Sequence, residues 1–395
     1  MKRFLALLLI FGMLANPAFS AFPENLTNAV DGVTEIVSAH LNNLEAKVGV
    51  DNSTVPTSLD YLVRRAPAAA AGFYSFSENL AKGSGNTLNI PEGAINVGGN
   101  GYGYLIAAQS NWDPTAAANR DSSFTSLAPG TNYYVYACQQ TGYYAKIIAS
   151  LNTTYPNGYN ASNSRKIGGF HTLCADVGTI SGHPLSGYVA GAILPASVWS
   201  LNHRPRCSPE GMVWSEQAKL WVDIYLMSGT GANSASVYGA VITDSRNWMD
   251  FVDDLAAVSK RLLEDDEFQI IAAGSNEETN IAGSADPNTT GGHVDTASRR
   301  MISNIGCEDT CGAMWQWLRT PGARLDDGTA GIWIDLAGAK GSFYTFGTNG
   351  CGNTQLLAGG YWNDGANCGS RGRNANYFRW FAASTFGARG CAEPK

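Results

Sequence analysis

Between the pair Gly359-Gly360 and the closing triplet Gly387-Ala388-Arg389 the chain concentrates Tyr361, Trp362, Asn363, Asp364, Asn367, Asn374, Asn376, Tyr377 and Phe381. These residue types serve non-covalent recognition: tyrosine supplies large rigid contact area, and asparagine and serine supply adaptable hydrogen bonds. The glycines permit close backbone approach or positive φ, and Arg371, Arg373 and Arg389 can brace the intervening loop through forked hydrogen bonds.

Catalytic constellations are absent by comparison. The chain contains neither a Gly-x-Ser-x-Gly elbow nor a His-Glu-x-x-His pair. Its five histidines, His40, His171, His183, His203 and His293, are scattered and read as structural or surface residues. Cys307 and Cys311 are four apart, a spacing that fits one helical face, but no neighbouring histidine or second cysteine pair completes a zinc set. No metal and no cofactor is expected. Calcium stays open, because oxygen ligands in loops leave no spacing signature. The cluster Gly98-Gly99-Asn100-Gly101-Tyr102-Gly103 lacks the Lys-Ser/Thr ending of a phosphate loop.

The elements that would position the recognition segment are legible in part. Trp248, Phe251, Val252, Leu255, Val258 and Leu262 form an apolar stripe that predicts a helix capped by Asp244 or Ser245. Glu264-Asp265-Asp266-Glu267 suits the first turn of a second helix, where carboxylates oppose the dipole. Upstream, Tyr133-Tyr134-Val135-Tyr136-Ala137 and Ala145-Lys146-Ile147-Ile148-Ala149 lie among glycine-rich turns and predict a small antiparallel β module. Val33, Val37, Leu41, Leu44 and Val48 make a short heptad-like seam, marginal alone, that suggests self-association.

The segment 359–390, with Gly369-Ser370-Arg371 between its two glycine ends, resembles the variable region of the phage major tropism determinant family. Those are C-type-lectin-fold proteins diversified by retroelements that mutate adenines and so target asparagine codons. Two further segments resemble the related formylglycine-generating-enzyme family: Lys260-Arg261-Leu262-Leu263 with Glu267-Phe268 and Ala272-Ala273, and Asn304-Ile305-Gly306 through Gly312-Ala313-Met314-Trp315-Gln316-Trp317. The resemblance implies an α+β fold in which a C-terminal C-type-lectin-like domain follows a small antiparallel β module and a short N-terminal helix. It places Trp362, Arg371, Arg373 and Arg389 in the framework. It turns Tyr361, Asn363, Asp364, Asn367, Asn374, Asn376, Tyr377, Phe381, Ala383, Thr385 and Phe386 toward a ligand. For Phe386 and Phe381, core packing is the competing reading.

The family's copper-binding oxidases carry two cysteines, five apart, shortly after the glycine pair. Asp364 and Gly369 occupy those places here, so the soft two-sulfur site for Cu(I) is missing. Ala313 and Gln316 stand where the family has Asn and Glu, which weakens the case for an ion there. A non-catalytic, diversified receptor-binding protein is the expected function. Its partner would be a protein or glycan receptor on another cell surface, and its assembly a homotrimer. A tail or fibre structural protein with a decorative lectin-like domain is the alternative, and an oxidase-like enzyme a more distant one.

Length and composition agree with this division. A chain of 395 residues exceeds one ordinary core, and 15% charged residues with 45 glycines describe a loop-rich, β-rich protein. A net charge of −7 without a basic run argues against nucleic acid. Residues 1–20 read as a secretory signal, with Lys2 and Arg3, an apolar stretch, and Ala18-Phe19-Ser20 before Ala21. The expected layout is a signal at 1–20, a helical oligomerisation segment at 21–66, a β-rich module at 67–165 and the lectin-like domain at 166–395. The mature chain is then secreted or displayed at the cell surface without a transmembrane segment, or else carried on a virion tail. Eight cysteines in an exported chain would permit 105 disulfide pairings, which the sequence does not resolve.

Overall fold

The structure, a computed structural model, describes residues 70–99, 103–324, 333–335, 340–344 and 352–395, with a few isolated residues before 70. The chain divides into two compact units, Met1–Val63 and Arg64–Lys395, and the second carries the fold set out below. The leader at 1–20 and Val33, Val37, Leu41 and Leu44 lie outside the described residues, while Val48 is helical and exposed.

The alternating apolar runs become short strands: β1 (Tyr74–Phe76), β2 (Ala81–Lys82), β3 (Leu88–Ile90), β4 (Gly93–Asn96), β5 (Gly103–Ile106), β6 (Gln109–Trp112), β7 (Asn132–Cys138), β8 (Lys146–Ser150), β9 (Ser164–His171) and β10 (Trp199–Ser200). They form two three-stranded sheets, β1-β4-β5 and β2-β3-β6, and a four-stranded sheet, β10-β9-β7-β8. Strand β7 explains its own sequence. Successive side chains point to opposite faces, so a run without polar alternation must be buried on both. Tyr133, Val135 and Ala137 enter a core with Leu88, Ile95, Ile167 and Phe170. Tyr134, Tyr136 and Cys138 enter a second core with Trp199, Met212 and Trp221.

The expected boundary at 165/166 is not where the packing changes. It falls inside β9, whose residues pair with β7 along the whole of that strand, and the first core continues to Ile193 and Val198.

The remainder holds β11 (Met212–Ser215), β12 (Leu220–Asp223), α1 (Trp248–Ala257), β13 (Arg261–Leu262), α2 (Asp265–Ala272), β14 (Trp315–Arg324), β15 (Trp333–Asp335), β16 (Ser342–Tyr344), β17 (Gly352–Gly359), β18 (Gly369–Asn374), β19 (Phe386–Gly387) and β20 (Gly390–Ala392). Its sheets run β11-β12-β20-β13 and β15-β16-β18-β17-β14-β19, and the composition is α+β. Helix α1 is capped by Asn247, not by Asp244 or Ser245. Asp250 N donates to Asn247 Oδ1 at 3.1 Å and Asn247 N to Asp250 Oδ2 at 3.3 Å, a reciprocal capping box. Ser245 instead takes a φ of 52° and donates its backbone N–H to Ala383 O. The stripe also ends sooner than expected: Phe251 and Leu255 are buried within α1, Val258 is its C-cap, and Leu262 belongs to β13.

Helix α2 has the acidic first turn that the sequence predicts, and Glu267 both closes a capping box and holds Arg261 through two 2.8 Å bonds. Cys307 and Cys311 lie in irregular chain rather than on a helix, and the seven described cysteines are free thiols.

Candidate binding face

The frame under the segment 359–390 is built from glycine geometry and buried guanidinium groups. Gly359 and Gly360 have φ of 92° and 85°, and a Cβ on Gly360 would sit 2.6 Å from Cys368 Sγ. One on Gly359 would strike Thr310 O, so neither position accepts a side chain. Arg389 is 1% exposed and makes four hydrogen bonds, to Gln316 Oε1 (3.1 Å), Asp223 O (2.8 Å), Ile224 O (2.6 Å) and Glu308 O (2.5 Å). It ties β12, β14 and the 303–312 loop to the strand that ends the segment. Gln316 completes the brace by donating to Asp309 O and Thr310 O. Arg373 is likewise buried: it pairs with Asp265 at the start of α2, donates to Ser370 O and Gly372 O, and lies over the Phe268 ring at 5.0 Å. Glu277 grips the opposite side of the turn, accepting from Ser370 N (2.9 Å) and Ser370 Oγ (2.7 Å).

From this frame an aromatic ladder climbs to the surface. Trp317 and Phe386 are buried with centroids 5.2 Å apart; half-buried Tyr377 lies 4.8 Å from Phe386, and Phe381, 45% exposed, lies 4.7 Å from Tyr377. Beside it Trp380 is 66% exposed and stacks on Phe378 at 4.8 Å with the planes 3° apart. Arg379 covers Trp248 of α1 at 4.9 Å. The neighbouring turn holds Asp364, whose Oδ2 accepts from Tyr361 N at 3.0 Å. Burial pushes its carboxyl up to about 6, partly offset by the Tyr361 N–H and the Trp315 indole.

A family model for the Mtd second domain matches residues 78–200. A tail fiber receptor-binding protein of Bordetella phage BPP-1 is 27% identical over 298 residues, which is 68% of this chain and 72% of that protein. Among solved structures, the Major Tropism Determinant U1 Variant superimposes with a TM-score of 0.59 at 26% identity, covering 84% of this chain and 87% of the other. The chain is similar to the phage major tropism determinants over most of its length. The P3c Variant gives the same TM-score at 24% identity, with 84% and 85% coverage, and bears on the fold alone. The C-type-lectin-like architecture implied by the sequence is therefore the observed one.

The expected face residues separate by burial. Tyr361, Asn363, Asp364, Asn367, Asn376, Tyr377, Phe381, Ala383 and Thr385 are all at least partly exposed. Phe386 is not a surface residue. It is 1% exposed in β19, inside the core with Trp315, Trp317 and Leu357, so the packing reading of this residue is the correct one. Asn374 is also buried, its Oδ1 accepting from Asn376 N at 2.9 Å.

The framework separates in the same way. Arg373 and Arg389 carry it, and Trp362 packs against the core cluster that contains Met301 and Met314 while its carbonyl accepts from Asn280. Arg371 does not share the load: it is half-buried and its side chain has no hydrogen-bond partner among the described residues.

Sequence reasoning missed Trp380, Phe378, Arg379 and Glu277. An exposed tryptophan in a glycine-framed segment was the available signal for the first. At the positions of the oxidase cysteines, Asp364 offers a carboxylate and Gly369 no side chain. Cys368 is buried, its thiol raised by desolvation. Among the described residues no group of three or more histidine, cysteine, aspartate or glutamate side chains is placed to hold a metal ion. Burial pushes His171 down to about 3, and it bonds Asn132 and Tyr225 as a core residue.

Proposed function

We propose that this chain is a non-catalytic receptor-binding protein that engages a macromolecular receptor on another cell through the face formed by 359–390. The observation that carries this reading is the contrast inside one segment: buried Arg373 and Arg389 lock the backbone, while Trp380 and Phe381 stand exposed above it. Large rigid aromatics on an immobilised backbone bind with little ordering cost, and such anchors dominate interface energies. A relative whose name describes receptor binding by a tail fibre supports the same role. The receptor is a protein or a glycan, and the working assembly is a homotrimer on a virion tail or a related surface particle. In a trimer, avidity compensates for modest single-site affinity.

Tyr361, Asn363, Asp364, Asn367, Asn376, Tyr377, Phe381, Ala383 and Thr385 form the contact set, joined by Trp380. Three asparagines among them fit adenine-directed diversification. A reverse transcriptase gene and an adenine-rich template repeat beside the coding sequence are the expected companions. The packing of β9 supports a module from about 72 to 200, with the lectin-like domain running from about 201 to 395.

The test is binding of the purified chain to candidate host cells, read by flow cytometry, for Trp380→Ala and Phe381→Ala against Val189→Ala, an exposed position in the β module. The face variants should lose roughly 1–4 kcal/mol of affinity and the control none. Equal binding by all three would remove the face from the function.

A further inference from the structure

The β module carries a cleft of its own, outside the segment 359–390. Leu88 of β3 pairs with Trp112 of β6 and both are buried, so the residues just beyond that pair, Asn86, Thr87 and Asp113, emerge together at one end of the ladder. The rest of the lining comes from the loops at 126–127 and 190–191. Gly191 has a φ of 82°, and a Cβ there would lie 3.0 Å from Leu127 O, so glycine suits the close approach of these two loops. Together they enclose a cavity of about 360 Å³, the size of a small-molecule site.

The polar groups of the cleft are held in place and only half used. Asp113 Oδ1 accepts from Thr115 N (2.8 Å) and Thr115 Oγ1 (2.7 Å), and Asn86 Oδ1 accepts from Ile193 N (3.1 Å). Asp113 Oδ2, the Asn86 amide nitrogen and Ser126 Oγ have no protein partner among the described residues. The cleft therefore offers a fixed acceptor, a fixed donor and a hydroxyl that can be either, beside the short apolar surface of Leu127 and Ala190.

This set excludes most ligand classes. Among the described residues no lysine, arginine or histidine lines the cleft, and the Asp113 carboxylate repels an anion. Arg120, which donates to Thr115 O, spends its other contacts on Asp121 O and Phe124 O. One carboxylate with a single free oxygen falls short of the six or more oxygens of a calcium site. An ammonium group would meet Asp113 but could accept nothing from the Asn86 amide, and an apolar ligand would leave both groups unpaired. Sugar hydroxyls donate and accept alike. Adjacent hydroxyls on a ring can bridge a carboxylate and an amide while the C–H face of the ring lies on aliphatic carbon. We propose that this cleft binds a neutral sugar ring.

The test is saturation-transfer NMR on the full chain with glucose, galactose, mannose and N-acetylglucosamine, each as the free sugar and as its methyl glycoside. Sorbitol, glucose 6-phosphate and ethanolamine serve as the acyclic, anionic and cationic controls. At least one ring should bind saturably, and the three controls at least roughly tenfold more weakly. A methyl glycoside that binds as well as its free sugar identifies a ring within a glycan; its exclusion identifies a free sugar. Asp113→Asn keeps the acceptor that holds Thr115 and turns the free oxygen into a donor, so it should weaken binding roughly tenfold. Ala190→Trp, which fills the cavity, should abolish it. Trp380→Ala should leave it unchanged, because Trp380 belongs to the other site. No binding by any ring, equal binding by a control, indifference to both cleft variants, or loss on Trp380→Ala would each overturn the sugar site. None of these results depends on whether cell binding requires Trp380 and Phe381, so the cleft and the receptor-binding face fail separately.

Discussion

Asp364 is held in its ionised form against the preference of its surroundings, and this has a measurable cost. Its carboxyl is raised from an ordinary 3.8 to about 6 in the folded chain, so folding favours the protonated form. The stability this provides is complete below pH 4 and is lost as the pH rises through 6. Asp364→Asn should therefore raise the melting temperature at pH 7, by the equivalent of about 1–3 kcal/mol, and the gain should vanish toward pH 4. A gain independent of pH would mean that charge is not the cause.

Phe381 and Phe386 make the complementary pair. They lie five apart in a loop without periodicity, so the sequence offered no way to tell which was buried. Phe386→Ala empties a packed site beside Trp317 and should cost about 3–5 kcal/mol in denaturant titration. Phe381→Ala, at a largely exposed position, should cost well under half of that.

At the scale of elements, the helices were readable and their ends were not. The apolar stripe located α1, but Asp244, Ser245 and Asn247 are all competent caps. The choice is made by tertiary contacts: Ser245 N bonds Ala383 O, and Trp248 N bonds Arg379 O, which places the helix start after Asn247. Asn247→Ala should cost about 1 kcal/mol by thermal melting, whereas Asp244→Ala should leave the transition within about 0.5 kcal/mol. A larger effect at Asp244 would return the cap to the position expected from sequence.

The arginines show the same division between what type and position reveal. Their number in the segment suggested a brace, yet only burial distinguishes Arg389 and Arg373 from Arg371. Arg389→Lys keeps the charge but loses the fork that reaches Gln316 and three carbonyls on two further stretches of chain, at 223–224 and at 308. It should destabilise by about 3 kcal/mol or more, as unpaired buried carbonyls accumulate, while Arg371→Ala should be nearly silent.

For the whole molecule, low charge and abundant glycine indicated a β-rich, loop-rich chain, and the motifs of the last 140 residues indicated its lectin-like part. The division between modules was illegible for a physical reason. Strands of two or three residues such as β2, β10, β13 and β19 are too short to display a period, and β9 serves a sheet whose two faces belong to different cores. On one face Tyr134, Tyr136 and Cys138 pack against Trp199, Met212, Trp221 and Ala392, joining the β module to the sheet that closes the lectin-like domain. A seam of buried aromatics makes the two parts fold together, because separating them would expose apolar surface on each. The chain from residue 64 onward should therefore melt in one transition, and Trp221→Ala should lower that transition without splitting it. A fragment beginning at 166 loses β7 and β8, leaving β9 unpaired along one edge and the Trp199 and Trp221 surfaces open. It should lack a cooperative melting transition and bind a hydrophobic dye. A fragment that melted cooperatively by calorimetry, at the temperature of the longer chain, would show that the lectin-like domain stands without the module and that the seam is a contact rather than a shared core.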